Sequence, residues 1–206
     1  MLQDGDIIPG QHKGAKSVTS YTLKRSDSTR ADRLFEQAKK NLLNVNCWQE
    51  FAGPSTAKFT VIDQFNKETN ECAKEGDYLR ISIPVIPKTS AGHGFDWVRV
   101  EKISGWDRPG FRFIGMRVRP SKPPFEKSAV AHFFSPNATS TFCIEQKGRK
   151  VIATVYGRNE NPNTKKVPGI LAKLRNLFVA LGAMAGLNKP QWKNLVEGLL
   201  THTDNG

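Results

Sequence analysis

The sequence predicts an α+β fold, in which an antiparallel sheet of about seven strands is combined with one N-terminal helix and a C-terminal helical hairpin. Short β-rich segments separated by turn residues fill the middle of the chain, from residue 57 to residue 157. One amphipathic helical pattern precedes this region, and two such patterns follow it. Consecutive strands without helices between them favour an antiparallel meander or a small, barrel-like curled sheet.

The strands are predicted from their β-branched and aromatic residues and from the turn chemistry between them. The clearest unit is the hairpin Thr139–Tyr156, in which Lys147 and Gly148 stand between two β-rich runs. The predicted strands are Lys58–Asp63, Tyr78–Pro84, Asp96–Ile103, Phe111–Arg119, Ala129–Phe134, Thr139–Gln146 and Lys150–Tyr156.

Residues 1–28 are polar and contain several glycines, which is typical of an arm attached to a domain. Weak alternation over Ser17–Leu23 permits one short strand within this arm. Residues 29–206 then form a single α+β domain, with a helix over 29–43, the β core over 57–157 and the helical hairpin over 167–202.

The helices are predicted from capping residues and apolar stripes. Ser28 or Thr29 can cap a first helix over Arg30–Leu43. A second helix covers Val167–Ala185, and its C-terminal half is apolar or small on all sides. Such a surface must be buried in the fold or against a partner. Asn188 can cap the last helix.

Positive charge is concentrated in one segment of the chain. Between Arg108 and Arg175 there are fourteen Lys or Arg residues and three acidic residues, within a chain of net charge +12. A local excess of this size attracts anionic partners and raises their local concentration. The alternative interpretation is a solvated basic face that keeps the protein soluble.

One strand of this basic segment, Phe111–Arg119, contains a conflict in its alternation. A regular strand would place Arg117 and Arg119 on the same face as the phenylalanines. A bulge at Gly115 would reverse the alternation and remove the conflict. We therefore expect an inner row of Phe111, Phe113, Met116 and Val118 and an outer ladder of Arg112, Arg117 and Arg119.

Basic side chains on neighbouring strands could form one patch for a polyanion, because guanidinium groups suit phosphate and carboxylate. Exposed aromatic residues among them could stack on nucleobases, with Phe125 and Phe134 as the candidates, although the same residues could instead fill the core. The candidate polyanion-binding residues are Arg112, Arg117, Arg119, Lys147, Arg149, Lys150, Arg158, Lys165 and Lys166.

No complete catalytic or metal signature is present, so no catalytic residue, metal ligand or cofactor is assigned. His132 and Cys143 could meet across strands as a base and a nucleophile, but an inert buried thiol is the alternative. Three carboxylates could act as acids or bases, or simply face solvent. They are Asp96, Glu101 and Asp107.

Three functions are compatible with these observations. The first is a non-enzymatic binding protein whose partner is nucleic acid, read without strong sequence specificity, or an acidic protein surface. The second is a structural or adaptor subunit that associates with itself or with a partner through the Val167–Ala185 helix. The third is a small-ligand carrier or enzyme with a cavity in the curled sheet.

The three cysteines, Cys47, Cys72 and Cys143, are too widely spaced for a disulfide framework, and free thiols fit a reducing compartment. No secretory signal pattern and no apolar run of membrane-spanning length is visible. We therefore expect a cytoplasmic protein without a membrane span.

Overall fold

The computed structural model describes residues 7–82, 95–125, 137–160 and 188–202. In these segments seven strands form one sheet and three α-helices pack against it. The elements in chain order are β1 (Ala15–Lys24), α1 (Ser28–Leu43), α2 (Trp48–Ala52), β2 (Lys58–Ile62), β3 (Tyr78–Ser82), β4 (Asp96–Arg108), β5 (Phe111–Pro120), β6 (Thr139–Lys147), β7 (Lys150–Glu160) and α3 (Asn188–Thr201).

Every pairing in the sheet is antiparallel, and the strand order is β1-β7-β6-β5-β4-β3-β2. Strands β2 to β7 are therefore a meander, as the run of strands without intervening helices predicts. The predicted α+β class is confirmed. The predicted strand Ala129–Phe134 and the predicted helix Val167–Ala185 lie outside the described residues.

Strand β1 joins the sheet at its edge, beside β7. It pairs from Ala15, opposite Glu160, to Lys24, opposite Lys150. The short strand permitted by the alternation at Ser17–Leu23 is thus confirmed and is longer than expected. Ten of the 28 residues assigned to an arm are consequently part of the sheet.

Helix α1 begins at Ser28, two residues earlier than the predicted start at Arg30. Its cap is Asp27, whose Oδ1 accepts a hydrogen bond from Arg30 N at 2.8 Å, and not Ser28 or Thr29. An aspartate in extended backbone satisfies an amide that has no partner within the helix. The buried stripe of the helix is Ala31, Leu34, Phe35, Ala38 and Leu42.

A short helix that sequence periodicity does not reveal, α2, places Trp48 at the centre of the core. The Trp48 ring lies 5.2 Å from the Phe59 ring and 4.6 Å from the Phe142 ring, measured between centroids. Helix α3 crosses α2 at Gly198, where an added Cβ would meet Phe51 O at 2.3 Å. Five residues are too few for a helical period, which explains why α2 was not predicted.

The sheet has an inner face, which the helices cover, and an outer face. The inner face carries the main core, including Met116, Phe142 and Val155. On the outer face, Phe113 and Cys143 form a smaller cluster that Ile7 covers. The remaining side chains packed against this cluster are Ile8, Trp106 and Tyr156.

Residues 7–14 are held to the outer face by Asn159, near the end of β7. Its Oδ1 accepts from His12 N at 2.7 Å, and its Nδ2 donates to Gly10 O at 3.1 Å. Asn159 N in turn donates to Gln11 Oε1 at 3.0 Å. Asn159 has a positive φ of 55°, which asparagine tolerates better than most residues.

The bulge predicted at Gly115 is wrong, because Gly115 pairs in regular register with Ser104 on β4 and Cys143 on β6. The bulge is in the neighbouring strand β4, between Val100 and Lys102. Strand β5 therefore keeps its alternation throughout, and its arginines do not share one face.

Within the described segments, no helix is both long and apolar enough to cross a membrane.

Candidate functional site

Three turns meet at one end of the sheet, which we call the hairpin end. They are the β4–β5 turn at Pro109–Gly110, the β6–β7 turn at Gly148–Arg149 and the loop from β1 to α1. Gly148 N donates to Gly110 O at 2.6 Å, and Arg25 N donates to Arg149 O at 2.9 Å. These backbone hydrogen bonds hold the three turns together.

Five exposed residues form one row across five neighbouring strands at the hairpin end. Neighbouring strands lie about 4.8 Å apart, so the row is about 19 Å long. We call these residues the hairpin row. In order across the sheet they are Lys24 (β1), Lys150 (β7), Lys147 (β6), Phe111 (β5) and Arg108 (β4), each directly opposite the next.

All five members of the hairpin row belong to the outer face. Side chains alternate along a strand, and Phe111 stands two residues before Phe113 of the outer-face cluster. Lys147 likewise stands four residues after Cys143, and Arg108 two residues after Trp106. The row is therefore a continuous feature of one surface.

Four members of the hairpin row are cations, and the carboxylate of Glu145 contacts one of them, Lys147. Lys147 Nζ lies 2.5 Å from Glu145 Oε2. The other three, Lys24, Lys150 and Arg108, form no ion pair with any residue in the described segments. Like charges directly opposite each other in a sheet are destabilising. Lys24 and Lys150 thus repel each other, and no carboxylate in the described segments neutralises that repulsion.

The structure brings together three of the residues predicted to bind a polyanion, all at the β6–β7 turn. Lys147 and Lys150 belong to the hairpin row, and Arg149 lies between them. Arg149 Nη1 donates to Ser26 O at 3.1 Å, which fixes its guanidinium beside the β1–α1 loop. This part of the predicted patch is a single surface.

Arg117 and Arg119 lie on the outer face but far from the hairpin row. Both contact Glu101: Arg117 Nε lies 2.9 Å from Oε2, and Arg119 Nε contacts Oε1. Arg117 is six residues from Phe111 along β5, a distance of about 20 Å. One carboxylate shared between two arginines leaves less of their charge for a partner.

Arg112 is on the inner face, so the predicted outer ladder of Arg112, Arg117 and Arg119 is wrong. Its Nε donates to Asp107 Oδ2 at 2.8 Å, and its Nη2 contacts Glu36 Oε1. The guanidinium also lies 4.4 Å from the centroid of the Phe35 ring. Arg112 joins α1 to the β4–β5 hairpin, and its side chain is only 13% exposed.

The other predicted residues do not join the hairpin row. Arg158, near the opposite end of β7, donates to Ser17 O and Gly157 O and lies 5.2 Å from the Tyr156 ring centroid. Phe125 is half exposed, and its ring packs edge-on against Trp97 at 5.8 Å. Lys165, Lys166 and Phe134 lie outside the described residues.

An open groove of about 450 Å³ lies beside the hairpin row. Behind it, the buried side chain of Gln146 donates from Nε2 to Asp32 Oδ1 at 2.6 Å and to Gly148 O at 3.2 Å. Those bonds tie the N-terminal part of α1 to the β6–β7 turn. The groove is lined by Ser28, Asp32, Asp107, Arg108, Pro109, Gly110 and Arg112.

The candidate acids and bases are not assembled into one site. Asp96 and Asp107 lie at opposite ends of β4, about 36 Å apart along the strand. Glu101 and Asp107 are engaged by arginines, whereas burial raises the pKa of Asp96 to about 7. Cys143 is buried on the outer face, and His132 lies outside the described residues.

In the part of the chain that the structure describes, no group of three His, Cys, Asp or Glu side chains is arranged to hold a metal ion.

No protein-family model matches the chain, and no curated protein matches its sequence. Truncated norcoclaurine synthase from Thalictrum flavum is 12% identical with a TM-score of 0.39, over 95% of this chain and 100% of that one. Ginseng major latex-like protein 151 from Panax ginseng is 11% identical with a TM-score of 0.41, over 92% and 100%. The Zhui aromatase/cyclase from a Streptomyces species is 13% identical with a TM-score of 0.36, over 89% and 94%. These likenesses are too distant to carry an argument about function.

Sequence reasoning missed three members of the hairpin row. Lys24 lies in the segment predicted to be an arm, Phe111 lies in the row predicted to face inward, and Arg108 enters the sequence analysis only as the first residue of the basic segment. The available signal was the clustering of basic residues beside turns. In a meander every second hairpin turn lies at the same end of the sheet, so basic residues next to the β4–β5 and β6–β7 turns come close together. Register, which decides the neighbours, could not be obtained from that signal.

Proposed function

We propose that the protein is a non-enzymatic binding protein that holds an extended polyanion, most simply nucleic acid, along the hairpin row. The observation that supports this proposal is the exposed row itself, in which Lys24, Lys150 and Lys147 are successive cross-strand neighbours. A segment with this charge attracts anions at long range. Contact with the row then supplies the short-range interaction.

The energetic argument rests on the repulsion within the row. Each pair of like charges directly opposite each other costs a fraction of a kcal/mol, on the order of 0.2–1. An incoming row of phosphates removes that repulsion and releases the counterions that both partners carried. Binding is therefore expected to weaken steeply as salt concentration rises.

The length of the row favours a polymer over a single small anion. Its cations extend over about 19 Å, which exceeds the size of one phosphate or carboxylate group. An acidic protein surface could supply such a line of charge, but flexible phosphates adapt to it more readily. Nucleic acid is the simpler partner because its charge is regular along the chain.

A binding titration with row and control variants tests the proposal. Fluorescence anisotropy of a labelled single-stranded oligonucleotide is recorded with the parent and with the double variant Lys24→Gln/Lys150→Gln, at several salt concentrations. Loss of two phosphate contacts should lower affinity and reduce the slope of log K against log salt by about 1.4. An unchanged affinity and slope would exclude the row as the binding surface.

The matched control is the double variant Lys58→Gln/Lys67→Gln. Both lysines are exposed, and they lie in and just after β2, the edge strand farthest from β1. The control removes the same charge from the protein as the row variant. The control should bind the oligonucleotide with the affinity of the parent. Weaker binding by the row variant alone would then show that the position of the removed lysines matters, and not the net charge of the protein.

A second candidate function is the carriage of a small polar ligand, and the groove beside the hairpin row favours it. A groove of about 450 Å³ is of a size typical of ligand sites, and its lining combines Asp32 and Asp107 with Arg108. Such a lining suits a small molecule that carries both charges. A thermal-shift screen of zwitterionic compounds tests this, with Asp32→Asn expected to abolish any stabilisation and an absence of stabilisation counting against it.

A further inference from the structure

We propose, on the basis of the polyanion function above, that the hairpin row binds single-stranded nucleic acid and that Phe111 stacks on one of its bases. Phe111 is 52% exposed. It is the one uncharged member of the row, and it lies between Lys147 on β6 and Arg108 on β4. The inference concerns which polyanion the row selects.

The contrast with Phe113 gives the first argument. The two phenylalanines share the outer face of β5, but Phe113 is buried against Ile7 and stacks on Trp106 with ring centroids 5.8 Å apart. Phe111 has no ring contact within the described segments. Its ring contributes little to the described core and remains available to a partner.

A single exposed phenylalanine is ordinary on a protein surface. The position of Phe111 is what gives it meaning, since cationic side chains lie directly opposite it on both neighbouring strands. In a single strand each base has a phosphate on either side. The order Lys147, Phe111, Arg108 therefore matches the order phosphate, base, phosphate. Base–aromatic stacking is also tolerant of sequence.

The same geometry disfavours a duplex. Bases in a duplex are stacked on one another, so their faces are closed to a side chain unless the stack is opened at a cost of a few kcal/mol. A partner without nucleobases, such as polyphosphate or heparin, would contact the cationic side chains but would not stack on Phe111. The inference can therefore be separated from general polyanion binding.

The test compares two strands of equal length, a thymidine oligonucleotide and an abasic strand with the same phosphates. The full chain and its Phe111→Leu variant are titrated with both. We expect Phe111→Leu to bind the thymidine strand on the order of 10-fold more weakly and the abasic strand as the parent does. The control is Phe65→Leu, since Phe65 is 72% exposed on a distant turn.

The outcomes separate the two proposals. Equal binding of the thymidine strand by the parent and Phe111→Leu, or tighter binding of a duplex than of the single strand, would overturn the stacking inference. Binding of the abasic strand would still support the polyanion function. Failure of every strand to bind would remove both. If Phe111→Leu does not fold, Phe111→Trp replaces it, and quenching of the added indole by thymidine but not by the abasic strand is the supporting result.

Discussion

Lys24 and Lys150 lie directly opposite each other at the ends of β1 and β7, with both side chains exposed on the outer face. Two ammonium groups at this position repel each other, and no described carboxylate pairs with either. Binding sites often retain such locally unfavourable interactions in the free protein. The pair therefore offers a way to separate stability from binding.

Replacing one member of the pair by a carboxylate should stabilise the protein and impair its binding. Lys24→Glu places an attractive charge opposite Lys150, which should raise the free energy of unfolding by about 0.5–1 kcal/mol. The same variant should bind the oligonucleotide more weakly than Lys24→Gln. Urea denaturation and anisotropy measure the two effects. A Lys24→Glu variant that is less stable than the parent and binds the oligonucleotide with equal affinity would contradict the account.

The second prediction concerns Gly115 and the segment that covers it. A Cβ at this position would lie 3.0 Å from Phe113 Cζ and 3.2 Å from Ile7 Cδ1. Gly115→Ala should therefore push Ile7 from the outer-face cluster and destabilise the fold by about 1–3 kcal/mol. Hydrogen exchange of residues 7–14 should become faster.

A double-mutant cycle gives the control for this prediction. Truncation of Ile7 to alanine removes one of the two side chains that the new Cβ would meet, so the combined variant should lose less stability than the sum of the two single changes. Strict additivity would show that the two residues are not coupled through this contact.

The third prediction distinguishes Arg112 from the binding surface. Arg112→Met removes the charged hydrogen bonds to Asp107 and Glu36 and the contact with the Phe35 ring. Because both carboxylates are substantially exposed, a loss of about 1–3 kcal/mol in unfolding free energy is expected. The salt slope of oligonucleotide binding should stay the same. A smaller slope of log K against log salt for Arg112→Met would show that Arg112 contacts the oligonucleotide.

The fourth prediction is a pH dependence that originates at Asp96. Burial raises the pKa of this carboxyl to about 7 in the folded protein, from 3.8. Between these two values the folded state holds a proton that the unfolded state has lost, so this group makes stability fall as pH rises from about 4 to about 7. Above pH 7 its contribution is constant.

Asp96→Asn removes this titration and is the variant that measures it. Relative to the parent, it should gain stability between pH 5 and pH 8, by about 2–4 kcal/mol. Urea denaturation of both proteins at the two pH values gives the difference. A parent and variant that change in parallel would show that Asp96 titrates normally.

Much of the fold could be predicted because local signals agree with the final structure. Alternation and turn residues located the strands from β2 to β7, and an apolar stripe located α1. The bulge could not be predicted in this way. Gly115 has the residue type that bulges favour, but the bulge lies in β4 instead. There Glu101 contacts two arginines of the neighbouring strand β5. That choice depends on contacts between strands.

The candidate site was less accessible to sequence reasoning than the fold. The turn residues Lys147, Arg149 and Lys150 were identified because they are close in sequence. Lys24 and Arg108 come from other strands, and their approach depends on the register of four separate pairings. A shift of one residue in any pairing would move part of the hairpin row to the other face.

Amide hydrogen exchange with and without a single-stranded oligonucleotide tests the central claim most directly, because it locates the bound surface on the parent protein. We expect slower exchange at the two turns of the hairpin end, around residues 108–111 and 147–150, and no change around residues 58–67 on the far edge strand. Protection confined to other segments, such as the Arg117–Arg119 region, or no protection at a saturating concentration, would contradict the account.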